Sequence, residues 1–500
     1  MTKVSRRTFV LGSLGAVVAP PAPAYPFTLG VASGEPAHDS VVLWTRLAPV
    51  PLAEDGQGGM SRADVAVDWQ VSATDSFAKP LAYGTVTARH ADAHSVHVVA
   101  GGLAPDADYF YRFRTQGHIS PVGRTRTTPA VNATGRDLTM LFASCANFEH
   151  GFFTAYRRMA EENPGLILHL GDYIYEGAPS PERPRQHLGP EVLTLADYRR
   201  RYGQYKVDPD LQAAHAVAPW LVVPDDHDVE NDYAGTHRLD NIPPLTQAQW
   251  TARHTAAYRA YYEHLPLRPS AAPFGTSMRV YRRIRWGRLA TFHMLDTRQF
   301  RDPQACGGAF TNCPDADRPG RTITGQAQEK WLLDGLAKHE ATWDVLGQQV
   351  FFAQHLDARG AGTMDYWDGY RASRARLQQG WTDRKVRNPV VLTGDIHQAW
   401  ANELKANYKD PSSRTVGTEL VCTSITSRGD GTPTTAVPLA ATNPHLKFYS
   451  DRRGYVRTTI ARDRLRADFR ALDTVTRRDA PARTVKSFVI LDGKPGLRTP

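Results

Sequence analysis

A fold for this chain must gather metal-type ligands from five short segments: Phe142-Ala143-Ser144-Cys145, Gly171-Asp172-Tyr173-Ile174-Tyr175-Glu176, Pro224-Asp225-Asp226-His227-Asp228, Leu295-Asp296-Thr297-Arg298 and Gly394-Asp395-Ile396-His397. A short hydrophobic run precedes nearly all of them, so each polar cluster sits where a buried strand emerges into a loop. Open α/β sheets bind ligands at the carboxyl ends of their strands. One such cluster would be noise. Five in series imply a single polynuclear metal centre.

At 500 residues the chain has room for several domains of about 150 residues each. Its 41% apolar and 22% charged content is ordinary for a soluble globular protein. The formal charge of +9 includes Lys3, Arg6 and Arg7. A mildly basic balance suits anionic substrates. No Lys/Arg block with interleaved aromatics marks nucleic acid as a dedicated partner, and a monomer is expected.

Residues 1–24 are expected to be a leader. Ser5-Arg6-Arg7-Thr8-Phe9-Val10-Leu11 sets paired arginines ahead of a weakly apolar run, Val10 to Ala19, and Ala22-Pro23-Ala24 supplies the small residues of a cleavage site. The pair is similar to that of a twin-arginine signal, whose machinery exports folded proteins. The alternative is a membrane anchor, although Gly12 and Gly15 break the run. Export after folding suits an enzyme that loads a metal first, and places the protein outside the cell, in the periplasm or at the wall. Of four cysteines, Cys306 and Cys313 are expected to pair and Cys422 to be a small core residue.

From 25 to 128 the pattern is all-β, with strands expected at 40–47, 65–72 and 95–100. Tyr109 is expected to form the tyrosine corner of a fibronectin- or immunoglobulin-like sandwich. Residues 127–136 read as a linker. From 137 to 500 strands and helices alternate: strands at 138–143, 166–170, 220–223, 290–295, 343–352, 389–393 and 419–425, helices at 151–162 and 325–339, and antiparallel pairing over 455–472.

The clusters have distinct chemistry. Asp172 is a carboxylate able to bridge two cations, and Tyr175, three residues on, adds a phenolate, a hard anionic ligand that favours a trivalent ion. Asp395 and His397 lie two apart on an extended segment and face one way. Asp225, Asp226 and Asp228 crowd like charges that need a cation, a set suited to Ca²⁺, and Asn231 offers a further carbonyl. Cys145 is a strong iron ligand as a thiolate, with a buried core thiol as its bland alternative. Arg298 is a candidate clamp for a phosphoryl oxygen, with a structural arginine equally open. His227 is a candidate acid for the leaving alkoxide.

The Gly-Asp-x-x-Tyr segment resembles the iron-binding segment of purple acid phosphatases. Phe27-Thr28-Leu29-Gly30-Val31-Ala32-Ser33-Gly34-Glu35-Pro36 and Val42-Leu43-Trp44-Thr45-Arg46, taken with the five clusters in their order, resemble the PhoD-like alkaline phosphatases, a family that includes calcium-dependent phospholipases D. The resemblance runs from about residue 25 to Val489. It implies an α/β metallophosphoesterase sandwich domain preceded by an all-β fibronectin- or immunoglobulin-like domain, holding Fe³⁺ and Ca²⁺. Carried over by motif, Cys145, Asp172, Tyr175 and His397 would hold iron, with Asp172 bridging, and Asp225, Asp226, Asn231 and Asp395 the calcium side. Pro224 stands where the family often has Trp, and Asp228 where it often has Glu.

The expected activity is hydrolysis of phosphodiesters and phosphomonoesters by in-line attack of a metal-activated hydroxide. A phospholipase D acting on lipid head groups is a close variant, since ester preference depends on loops such as 301–319. A secreted, non-catalytic calcium-binding module is the reading from another class. The hydroxide-generating metal pair argues against it.

Overall fold

The computed structural model describes residues 24–240, 244–410 and 412–500, so the expected leader, save its last residue, lies outside the described residues. Strand Leu138–Ala143 shows how the sequence builds the core. Successive side chains alternate across a strand, so Leu138, Met140 and Phe142 point to one face while Leu141 and Ala143 point to the other, and both sets are buried. Apart from Thr139 the run is apolar, because a parallel strand is covered on both faces. Leu166–His169 and Pro219–Val222 obey the same rule, with Leu168 and Leu221 on the side of Phe142, and Ile167 and Trp220 on the opposite side.

These three strands and Val31–Gly34 lie parallel within a ten-stranded mixed sheet. A seven-stranded sheet has its own parallel centre, made of Ala290–Met294, Trp343–Gly347, Pro389–Thr393 and Thr415–Val421. The two sheets share one core, where Met140, Phe142, Leu168 and Leu221 join Phe292, Val345, Leu392 and Leu420. Truncating a phenylalanine in such a core costs about 3–5 kcal/mol. Helices Thr154–Glu161, Leu195–Lys206 and Gln247–His264 cover the other face of the first sheet, and Gly325–Leu336 and Arg371–Asp383 that of the second. Among the described residues no helix is long and apolar enough to cross a membrane.

Between residues 31 and 126 the elements are strands and one short 3-10 turn. Five of the strands form a separate sheet that packs through Val67, Val71, Tyr111 and Phe113 onto Val41, Leu43 and Val96. Val31–Gly34, Ser40–Arg46 and Ser95–Gly101 instead extend the ten-stranded sheet, with Ser33 in register beside Pro219. The segment is thus all-β, but its hydrogen bonding runs on into the sheet that carries the polar clusters. Tyr109 forms the expected corner, its hydroxyl 2.8 Å from Ala104 N and 3.2 Å from Ala104 O.

Several elements end earlier than their hydrophobic pattern does. The strand expected over 343–352 stops at Gly347, and Gln348 and Gln349 turn inward, where the Gln349 amide donates to Pro224 O and Leu295 O at 3.0 Å. The strand expected over 419–425 is Thr415–Val421, after which the chain crosses to Leu138–Ala143 through Ile425 N to Ser144 O at 3.0 Å. The helix expected from 151 starts at Thr154, because Gly151 is extended and lies against Val475.

Candidate metal centre

The polar clusters leave their strands at the same edge of the two packed sheets, which is what brings residues so distant in sequence together. Close approach of the loops needs glycine at two places. A Cβ on Gly171 would lie 2.3 Å from Asp225 Cβ, and one on Gly394 would lie 2.8 Å from Ser144 Cβ. The ligand residues themselves take a left-handed backbone: φ is 62° at Cys145, 54° at Asp172, 63° at Asp395 and 62° at His397. Non-glycine residues adopt it at a cost of about 1–3 kcal/mol, and such strain concentrates at functional sites.

Two groups of ligand atoms result. Cys145, Asp172 and His397 offer a thiol, a carboxylate and an imidazole within 4.8 Å of one another, and Asp172, Asp225 and Asp226 offer three carboxylates within the same span. Asp172 belongs to both. Its Oδ2 accepts from the Tyr175 hydroxyl at 3.0 Å, and its Oδ1 from His227 N at 3.3 Å. The Tyr175 hydroxyl also meets His397 Nε2 at 3.0 Å and accepts from Ser427 Oγ at 2.6 Å. Cys145, Asp172, Tyr175 and His397 therefore lie together as one group.

The other group is a buried acidic floor. Arg298 lies beneath it, wholly buried, with Nε 2.5 Å from Asp225 Oδ1, Nη1 2.9 Å from Asp365 Oδ2, and Nη2 3.4 Å from both Asp226 Oδ1 and Asp395 Oδ1. This corrects the expectation of a phosphate clamp. The guanidinium is enclosed by carboxylates and cannot reach a substrate oxygen, so it is the structural alternative that the folded chain realises. Asn231 is exposed; its amide donates to Asp232 Oδ2 at 3.0 Å and its backbone N–H to Glu176 Oε1 at 2.8 Å. Asp228 is a brace for the loops: it accepts from Asp225 N at 3.0 Å, Tyr173 N at 3.1 Å and Ile174 N at 3.3 Å.

The His227 ring lies against that of Tyr175, tilted by 32° with centroids 4.1 Å apart, and its Nδ1 lies 2.8 Å from Glu176 Oε2. Burial works against its charged form, but Glu176, Asp172 and Asp226 outweigh burial and raise its pKa well above the usual histidine value.

Several members were not singled out from the sequence. Ser427 follows the Thr415–Val421 strand in a stretch of small polar residues. Asp365, which also pairs with Arg301 at 2.6 Å, follows no buried hydrophobic strand that would have marked it. Glu176 ends the Asp172 cluster, where its adjacency to Tyr175 was the available signal.

The residues fit bound cations. Asp225 Oδ2 and His397 Nδ1 are buried without a hydrogen-bond partner, which is costly in a dry interior unless another ligand takes the lone pair. Burial, then the neighbouring carboxylates, push Asp172 and Asp395 well above the carboxylate range, and burial raises Cys145 and Tyr175. Nearby positive charge reverses each of these shifts. Thiol, phenol and imidazole on one side suit a transition ion; an all-carboxylate set on the other suits a hard one.

Residues 140–469 match the family model for PhoD-like phosphatases, and residues 14–129 match that for the N-terminal domain of PhoD-like phosphatases. Alkaline phosphatase D of Bacillus subtilis (strain 168) is 45% identical over 501 residues, an alignment covering 98% of this chain and 85% of that protein. A solved structure of PhoD superposes with a TM-score of 0.92 at 45% identity, covering 96% of this chain and 93% of the other. A chain with this likeness along nearly its whole length belongs to the PhoD-like phosphatase family and is a phosphoric ester hydrolase.

Proposed function

We propose that the protein is an exported, metal-dependent phosphoesterase that hydrolyses phosphodiesters as well as phosphomonoesters, built as a metallophosphoesterase domain behind a fibronectin-like one. The observation that carries this reading is Asp172, shared by a thiol–imidazole group and a carboxylate group. Cys145, Asp172, Tyr175 and His397 would hold Fe³⁺, and Asp172, Asp225, Asp226 and Asp395 would hold Ca²⁺, with Asn231 adding a ligand. Bound there, such ions would supply a hydroxide nucleophile near neutral pH and neutralise charge on the phosphoryl oxygens.

The chain's own residues do the rest. The His227 backbone N–H orients Asp172 through Oδ1, and Ser427 donates to the Tyr175 oxygen that would ligate iron. Arg298 keeps the acidic floor together by balancing part of its charge. His227, its Nδ1 2.8 Å from Glu176 Oε2 and its side chain 21% exposed, is placed to give a proton to the departing alkoxide. The alkaline phosphatase D relative supports the phosphatase part of this reading. Export through the twin-arginine machinery, to the exterior, periplasm or wall, rests on the Arg6-Arg7 leader. Hydrolysis of bis-p-nitrophenyl phosphate and p-nitrophenyl phosphate, before and after chelation, tests it. Both activities should vanish with the metal and return with iron and calcium; diester turnover that survives complete metal removal would overturn the proposal.

A further inference from the structure

We propose that Arg183, His150 and Arg428 form an anion subsite beside the metal centre, which receives a second anionic group of the ester substrate. The proposal rests on esters being cleaved at this centre. Each of the three residues is carried on backbone fixed to the site. Ser427 donates to the Tyr175 hydroxyl at 2.6 Å, so Arg428, the next residue, emerges at the edge of the centre. Its loop is held by Asp430, which accepts from Val475 N at 2.7 Å and Thr476 N at 3.0 Å, and by Arg453, which donates to Gly429 O at 2.7 Å. Arg428 itself adopts φ of 69°, a left-handed conformation that an arginine adopts only where its surroundings enforce it.

Arg183 is carried by the loop on the other side. The buried Glu149 carboxylate accepts from Ser180 N at 2.9 Å and His187 N at 3.2 Å, which ties that loop to the residue preceding His150. His150 is the residue both loops share: Arg183 and Arg428 each act on its charge. The Arg428 backbone N–H donates to His150 Nδ1 at 3.0 Å. An imidazole that accepts at Nδ1 carries its proton on Nε2 when neutral, so His150 is fixed as a donor.

The charge pattern points the same way. Among the described residues, neither the Arg183 nor the Arg428 guanidinium has a hydrogen bond or ion pair, and both are exposed. The neighbouring arginines are engaged: Arg185 with Asp208, Arg298 and Arg301 with Asp365, Arg453 with Asp451. Burial, then Arg183, His227, Arg453 and Arg428, hold His150 down to about 4, and no carboxylate is among these influences. Two guanidiniums without a protein partner and a neutral Nε2–H donor, on loops tied to one another through Glu149 and His150, match a phosphate, sulfonate or carboxylate. The preferred substrates would then carry a second negative charge a short arm away from the scissile ester.

The test reads competitive inhibition of p-nitrophenyl phosphate hydrolysis by the metal-loaded protein. Butylphosphonate and 4-sulfobutylphosphonate are the probes; they share the phosphonate and differ by one permanently charged group that binds metals weakly. The sulfonate should lower the inhibition constant about tenfold or more, the factor that a charge-assisted hydrogen bond supplies. In the Arg183→Ala/Arg428→Ala double variant the two constants should converge. Arg428→Lys, which keeps the charge and loses the fork, should retain part of the difference. Equal constants in the wild type, or an undiminished difference in the double variant, would overturn the subsite. Turnover of bis-p-nitrophenyl phosphate by the same wild-type preparation reports separately on the diesterase reading, so failure of one is distinguishable from failure of the other.

Discussion

Tyr175 Oη and His397 Nε2 lie 3.0 Å apart although 222 residues separate them in the chain. One leaves the Leu166–His169 strand in the first sheet, the other Pro389–Thr393 in the second. The contact therefore exists only when the two sheets are packed, and it makes the centre a product of the whole sandwich.

Asp172→Asn should abolish the centre rather than weaken it. The loss of a carboxylate common to both groups exceeds the roughly 10–100-fold effects of losing an outer-shell partner. Turnover of p-nitrophenyl phosphate should fall below a hundredth of wild type, and retention of a tenth would contradict a bridging role.

Tyr175→Phe tests the phenolate. The wild-type protein loaded with ferric iron should absorb in the visible through phenolate-to-iron charge transfer, and the variant should lose that band while keeping its far-ultraviolet circular dichroism. An unchanged band would remove Tyr175 from the iron shell.

Arg298→Met leaves Asp225, Asp226, Asp365 and Asp395 without their shared cation. Breaking a buried pair by removing one partner costs about 3–5 kcal/mol. Denaturant unfolding of the metal-free variant should show a loss of this size, and added calcium should recover part of it. A variant as stable as wild type would mean that the floor is already neutral.

How much of this was legible follows from what a strand-end cluster announces. Cys145, Asp172, Tyr175, Asp225, Asp226, Asp395 and His397 each follow a buried hydrophobic run, and the structure gathers them. Arg298 also ends such a run, but position alone does not say whether a cation faces the substrate or the carboxylates beneath it. The answer depends on Asp365, which reaches it from the segment before the Trp367–Tyr370 turn. Periodicity found the strands because both faces are buried, yet it missed the continuation of the N-terminal strands into the larger sheet. That pairing of Ser33 with Pro219 leaves no local mark in either segment.

Glu176→Gln should shift the pH profile. His227 is raised by Glu176, Asp172 and Asp226 against burial, so as a general acid it works below its raised pKa and fails as pH climbs through it. Removing the Glu176 charge lowers that pKa, and the alkaline limb of kcat should move to lower pH. A limb that stays in place, or moves upward, would exclude His227 as the proton donor.

Elemental analysis of the folded protein tests the central claim most directly. Iron in near-stoichiometric amount together with calcium, both lost in Asp172→Asn, is the predicted result. Folded wild-type protein that carries neither ion, or that keeps both after Asp172→Asn, would contradict a metal pair joined by Asp172.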